Sequence, residues 1–323
     1  MGIVAVTSVL PGDALAHLAE RHTVRLHPKG PPLTGPELAA FAADADALVT
    51  LLADHVDATV FAACPRLKVV ANVAVGTNNI DIDAARSAGV WVTNTPDVLT
   101  DATADLAFAL ILAVTRRIVE GDALLRSGSF TGWRPDFMLG AGLQGRTLGI
   151  VGMGRIGRAV ARRAIPFGVA VCYHDTHAVG TEDAPDAEFV AELDRLLPRA
   201  DLLSLHCPLT PDTRHLLDAR RLHLLPRGAF VVNTSRGEVI DEAALVDALE
   251  DGHLAGAGLD VYEHEPAVHP GLLTRRDVVL LPHVGSATWT ARSAMAELAV
   301  ANVLAVLSGR VPPAPVVTPS GRG

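Results

Sequence analysis

Short apolar runs alternate with amphipathic stretches in two separate series along this chain, and that alternation restricts the fold more than any other feature. Ile3–Val9, Thr23–Leu26, Ala47–Leu51, Lys68–Val73 and Val90–Thr93 make up the first series of strand-like runs. Strands this uniformly apolar are buried on both faces, as in parallel sheets covered by helices on each side. Gly12–Arg21, Pro36–Ala43, Asp57–Ala62 and Ile82–Ala88 predict those helices, several opened by Asp, Pro or Thr. One long helix is then predicted from Asp101 to about Arg126, entered through Thr100-Asp101 as a cap. The second series has strands at Thr147–Val151, Ala170–Tyr173, Leu202–Leu205, Ala229–Val232, Gly256–Leu259 and Val278–Leu281. A last helix, Thr288 to Leu307, stops at Gly309. Two α/β halves suit a length of 323 residues.

The second series opens on a phosphate-binding pattern. A buried strand runs into Gly152-Met153-Gly154-Arg155-Ile156-Gly157, and a helix continues from it. In such a loop the first glycine makes the tight turn, the second admits a pyrophosphate, and the third lets helix and strand pack closely. Unpaired N–H groups at the helix start then face the anion. Asp175, 18 residues beyond Gly157 at the end of the next strand, is placed to accept both ribose hydroxyls and to repel a 2′-phosphate. No arginine follows it in His174-Asp175-Thr176-His177, which favours NAD, with NADP left possible.

Three further strand ends carry unusual polar residues: Asn233-Thr234-Ser235-Arg236-Gly237, Asp260-Val261-Tyr262-Glu263-His264-Glu265-Pro266 and His283-Val284-Gly285-Ser286. Ligands of open α/β sheets bind outside the carboxyl ends of the strands. An arginine that grips a carboxylate, a histidine that exchanges a proton and an acid that orients it suit oxidation of an alcohol beside a carboxylate. The acid would also favour the protonated imidazole. Taken singly, Arg236 equally suits a carbonyl cap, Glu265 a surface loop acid and His283 a structural histidine.

Charge and cysteine content narrow the partners. With 27 basic and 36 acidic side chains the net charge is −9, which disfavours nucleic acid or an anionic membrane surface as partner. Cys64, Cys172 and Cys207 are isolated, so neither a disulfide framework nor a metal site is expected, and a reducing, cytoplasmic setting is. No apolar run is expected to span a bilayer. The first residues lack the basic start of a signal peptide, and Val6 stands where a myristoylation motif has Ser or Thr.

Together with Asn72-Val73-Ala74-Val75-Gly76-Thr77-Asn78-Asn79-Ile80-Asp81, these blocks resemble the D-isomer-specific 2-hydroxyacid dehydrogenase family, in the family's order and over nearly the whole chain. Within it, 51–57 and 95–105 look most like the glyoxylate/hydroxypyruvate reductase branch. The resemblance implies two Rossmann-like or flavodoxin-like parallel-sheet domains: a substrate domain, 1–97 with 287–323, and an NAD-binding domain, 98–286, inserted into it. It implies an active site in the interdomain cleft and NAD(P)H-dependent reduction of glyoxylate or hydroxypyruvate. Arg236 would bind the substrate carboxylate, Glu265 pair with the histidine and His283 donate the proton. Val75 and Gly76 would offer N–H groups to the substrate, with Leu51 at the pocket mouth. Thr103, Gly152, Gly154, Arg155, Ile156, Asp175, Cys207, Pro208, Thr213, Thr234, Ser235, Arg236, Asp260, His283 and Gly285 would contact the cofactor. No metal is implied. The segment around Phe130–Leu143 resembles a dimerisation arm, so a homodimer is expected. Trp133 would either reach the partner's active site or be an ordinary loop or core tryptophan. A longer 2-hydroxy acid as substrate, formate or phosphite chemistry, and a non-catalytic NADH-responsive binding protein are the alternatives. Glu265-Pro266 stands against formate.

Overall fold

In a computed structural model of the protein, describing residues 1–28, 30–180 and 186–319, the apolar runs become thirteen strands among the described residues. In chain order they are β1 (Ile3–Val6), β2 (Thr23–Leu26), β3 (Ala47–Thr50), β4 (Val69–Asn72), β5 (Trp91–Thr93), β6 (Thr147–Val151), β7 (Ala170–His174), β8 (Ala187–Phe189), β9 (Leu202–Leu205), β10 (Ala229–Asn233), β11 (Leu254–Leu259), β12 (Val278–Leu280) and β13 (Pro315–Val317). The chain divides into two units, Met1–Leu99 with Ser286–Gly323, and Thr100–Gly285. Of the segment 287–323, residues 320–323 lie outside the described residues.

The first unit holds a six-stranded sheet in the order β13-β5-β4-β3-β1-β2. Five strands are parallel, and β13 joins β5 antiparallel at the edge. Its first residue, Pro315, has no N–H for a ladder, so a proline-bearing strand is at home on an edge. β3 and β4 are buried along their whole length. One sheet face packs on helix Trp289–Leu307, whose Ala296, Ala299, Val300 and Val303 meet Val4, Val49 and Ala71. That helix is long and apolar enough to cross a bilayer, contrary to the expectation from the sequence. Half of it is buried inside the protein, and packing on the sheet accounts for its composition.

The second unit holds a seven-stranded parallel sheet, β12-β11-β10-β9-β6-β7-β8. Both sheets reverse strand order, between β1 and β3 in one and between β6 and β9 in the other. Those reversals are where open α/β sheets bind ligands.

The single helix expected over 101–126 is two, Thr100–Thr115 and Ile118–Arg126. Arg117 between them is left-handed, with φ 53°. The Thr115 carbonyl, which would continue the helix ladder, instead accepts the Ala141 N–H at 2.8 Å. A distant chain segment therefore ends the helix, without a local Gly or Pro.

Candidate active site

In the second unit the phosphate loop follows β6 directly. Gly152 has φ +93°, and a Cβ on it would lie 2.5 Å from the Cys207 nitrogen at the end of neighbouring β9. A Cβ on Gly157 would lie 2.1 Å from the Gly152 oxygen, so neither position admits a side chain. Gly154 differs, with no heavy atom of the described residues within 4 Å of its Cβ position. It caps helix Arg155–Ala164. Arg155 is exposed there, while Ile156 turns partly into the core. Asp175 follows β7 and accepts the Met153 N–H at 2.7 Å, tying the loop to the neighbouring strand. Its other oxygen accepts the Thr176 N–H at 2.7 Å. Beyond β9, Thr213 donates its hydroxyl to the Pro208 carbonyl at 2.7 Å and accepts the Thr210 N–H, closing a small turn.

The turn after β10 is held by Asn233, whose Oδ1 accepts from the Ser235 N–H and hydroxyl and whose Nδ2 donates to the Arg236 carbonyl at 2.8 Å. The Arg236 guanidinium donates to the Ser235 carbonyl at 2.6 Å. Burial disfavours its charge and pulls it below the ordinary arginine value, against the opposing pull of Glu265 and Glu238. A partly desolvated guanidinium of this kind gains from an anion. The neighbouring Thr234 hydroxyl is buried without a hydrogen-bond partner.

His283 follows β12 with a left-handed backbone, φ 53°. Its N–H donates to the Asp260 carbonyl at 2.8 Å. The Asp260 carboxylate accepts the next two N–H groups, Val284 and Gly285, each at 2.7 Å. Asp260 is 1% exposed, and burial raises its pKa against those two hydrogen bonds. Thr103 lies beside Gly285, with its Cγ2 3.4 Å from the glycine's Cβ position. The result is a rigid loop that presents the imidazole. Its Nδ1 lies 2.8 Å from Glu265 Oε2, and Nε2 has no protein partner among the described residues. The other Glu265 oxygen accepts the Tyr262 N–H at 3.1 Å. Burial opposes ionisation of Glu265, but the His283 hydrogen bond, with help from Tyr262 and Arg236, outweighs it and holds the carboxyl below its usual range. Because the value is depressed, the pair's contribution is present above the ordinary carboxylate range and is lost only as pH falls through the lower one.

In the first unit, Leu51 follows β3 and is partly buried, beside the β1/β3 reversal. Val75 and Gly76 follow β4, and neither N–H meets a protein acceptor among the described residues. Asn72, Asn79 and Asp54, absent from the sequence-based site, build the buried polar network around these turns. In the sequence all three lie in the family-like blocks 51–57 and 72–81, which carry no separate signal for a buried network. Trp133 is 80% exposed, which removes the core alternative for it. Within the second unit, a surface cavity of about 880 Å³ lies at the amino ends of the strands, around Arg146, Phe230 and Asp277, and is not lined by Arg236, Glu265 or His283.

A profile of the D-isomer specific 2-hydroxyacid dehydrogenase NAD binding domain matches residues 108–285. Glyoxylate reductase of Thermococcus litoralis is 47% identical over 317 residues, covering 96% of this chain and 95% of that one. The chain belongs to the D-isomer-specific 2-hydroxyacid dehydrogenase family. Among solved structures, a protein from Thermus thermophilus is 48% identical with a TM-score of 0.91, over 98% of this dehydrogenase and all of that chain. An NADPH-dependent glyoxylate/hydroxypyruvate reductase of Sinorhizobium meliloti, in complex with NADP and malonate, is 34% identical with a TM-score of 0.88, over 98% and 97% of the two chains.

The dehydrogenase is an NAD(P)-dependent oxidoreductase, and its residues fit that cofactor. Gly154, whose Cβ position meets no heavy atom within 4 Å among the described residues, suits close approach of a pyrophosphate to the helix start, and the orphaned Thr234 hydroxyl offers a buried polar contact at a strand end. All three cysteines are free and buried. Burial pushes the Cys172 and Cys207 thiols up to about 11, and raises Cys64 as well. Native protein is therefore expected to show almost no rapid reaction with a thiol reagent at pH 8 and three reactive thiols after denaturation. A fast thiol in the native state would contradict this environment.

Proposed function

We propose that this dehydrogenase reduces a small 2-keto acid, glyoxylate or hydroxypyruvate, to glycolate or D-glycerate, with NADH preferred. The observation that carries the reading is the His283–Glu265 pair, ordered on one nitrogen and open on the other. Bound NAD(P)H supplies the hydride that reduces the keto carbon. Arg236 grips the substrate carboxylate, and the Val75 and Gly76 N–H groups are offered to the same charge. His283 Nε2 gives its proton to the C2 oxygen as negative charge develops there. The ionised Glu265 steadies the imidazolium that precedes transfer. Thr103, Gly152, Gly154, Arg155, Ile156, Cys207, Pro208, Thr213, Thr234, Ser235, Asp260 and Gly285 are assigned to the cofactor on the family resemblance. Residues 98–286 are the NAD-binding domain in this reading, and 1–97 with 287–323 the substrate domain.

Asp175 carries the cofactor preference, since its charge opposes a 2′-phosphate. A spectrophotometric panel of NADH and NADPH against glyoxylate, hydroxypyruvate, pyruvate and longer 2-keto acids tests both choices. Faster turnover with NADPH would refute the Asp175 argument, and preference for a long chain would refute the small substrate. A cytoplasmic setting and a homodimer complete the proposal. Helix Ile118–Arg126 has no buried residue, and Leu125, Trp133 and Leu139 are more than 60% exposed. Apolar surface of that extent calls for a partner. Sedimentation at twice the 33.8 kDa of one chain is expected, and a monomer would overturn the dimer.

A further inference from the structure

The turns after β3 and β4 are joined by two buried side-chain amides, and nothing in the family-based assignment gives those amides a role. Asn79 donates to the Leu51 carbonyl at 3.0 Å and to the Asp54 carbonyl at 2.9 Å. Asn79 and Asn72 exchange hydrogen bonds at 3.1 and 3.2 Å. Asn72 in turn donates to the Gly76 carbonyl at 2.8 Å and accepts the Thr50 hydroxyl at 3.1 Å. Asp54 closes the first turn by accepting the Leu51 N–H at 2.8 Å and the Thr7 hydroxyl. Asn72 is 0% and Asn79 7% exposed, so these bonds are shielded from water.

Carbonyl groups hold the tip of the second turn. Ala74 accepts from the Thr95 N–H, Val75 from Asn94 Nδ2 and Gly76 from Asn72 Nδ2, each at 2.8 Å. With three successive carbonyls occupied, the Val75 and Gly76 N–H groups point where no protein acceptor lies among the described residues. A fully satisfied buried network has one arrangement, and it transmits that arrangement to both turns it touches. The turns stand beside the β1/β3 reversal, where a ligand of this sheet is expected.

We propose that the Asn72–Asn79 amide pair is a specificity-determining clamp that fixes the gap between Leu51 and the open N–H groups of Val75 and Gly76. The gap sets how long a 2-keto acid the first unit admits once its carboxylate is anchored. Asn72 and Asn79 are positioning residues in this scheme and do not touch the substrate. The inference rests on the proposed carboxylate contact of Val75 and Gly76.

The test uses the full-length protein with NADH, oxalate as a non-reacting carboxylate probe, and glyoxylate against 2-oxobutyrate as substrates. In Asn79→Ala, oxalate Kd and glyoxylate KM should rise about tenfold, the loss of one or two buried hydrogen bonds. NADH Kd should stay within about twofold, and the glyoxylate-to-2-oxobutyrate ratio of kcat/KM should fall at least about threefold, a change that general loosening of the fold does not produce. Asn72→Ser, too short to reach the Gly76 carbonyl, gives the same readout should Asn79→Ala not fold. Val75→Pro, which deletes one of the two N–H groups, tests the underlying contact separately. If oxalate binding survives Val75→Pro, the carboxylate contact is wrong. If binding weakens there but the folded Asn variant keeps wild-type oxalate affinity and selectivity, the clamp is overturned.

Discussion

Replacing His283 by alanine is expected to lower keto-acid reduction about 10²–10⁴-fold while NADH binding stays near normal. In the proposed mechanism His283 supplies the proton, and the loop that carries it is held through backbone N–H groups. Asp260 accepts those of Val284 and Gly285, and neither bond involves the imidazole. Removal of the ring therefore leaves the loop in place, so lost turnover reports on chemistry and not on folding. Glu265→Gln complements this variant. The amide oxygen can still accept from Nδ1, but the negative charge beside the ring is gone, so kcat should fall while NADH binding stays near normal. Wild-type turnover in His283→Ala would remove the proton-donor role.

Arg236→Gln is expected to cost roughly 10²–10³-fold in kcat/KM, the scale of losing one partner of a desolvated charge pair. The change should be carried largely by substrate KM, since a carboxylate is charged before and after the reaction and is held in both states. Burial already disfavours the guanidinium charge, and among the described residues its direct hydrogen bond is to the adjacent Ser235 carbonyl. That bond is also the alternative role, a carbonyl cap. If Arg236 only caps, the variant should lose thermal stability and keep its substrate KM. An unchanged KM with a lowered Tm would decide for the cap.

The parts of this architecture visible in the sequence are those set by local pattern. Leu202–Leu205 and Thr147–Val151 are strands at the expected boundaries, because continuous apolar runs between polar breaks leave few other conformations. The Gly152–Gly157 loop was equally legible, since backbone approaches closer than any Cβ allows require glycine at fixed positions. The helix break at Arg117 was not, because its cause lies in Ala141, whose N–H takes the helix-ending carbonyl. Strands β8 and β13 have three residues each and show no periodicity to detect. The Asn72–Asn79 pair was invisible for a similar reason. An asparagine at a strand end reads as a turn former, and only the fold brings the side chain of one turn onto the carbonyls of another.

D-specific, cofactor-dependent reduction of a small 2-keto acid is read from the stereochemistry of its product. Hydroxypyruvate is incubated with NADH and the protein, and the glycerate formed is resolved by chiral chromatography as the NADH absorbance is followed. NADH consumption matched one to one by D-glycerate is expected. L-glycerate, or no NADH consumption with hydroxypyruvate and glyoxylate alike, would contradict it.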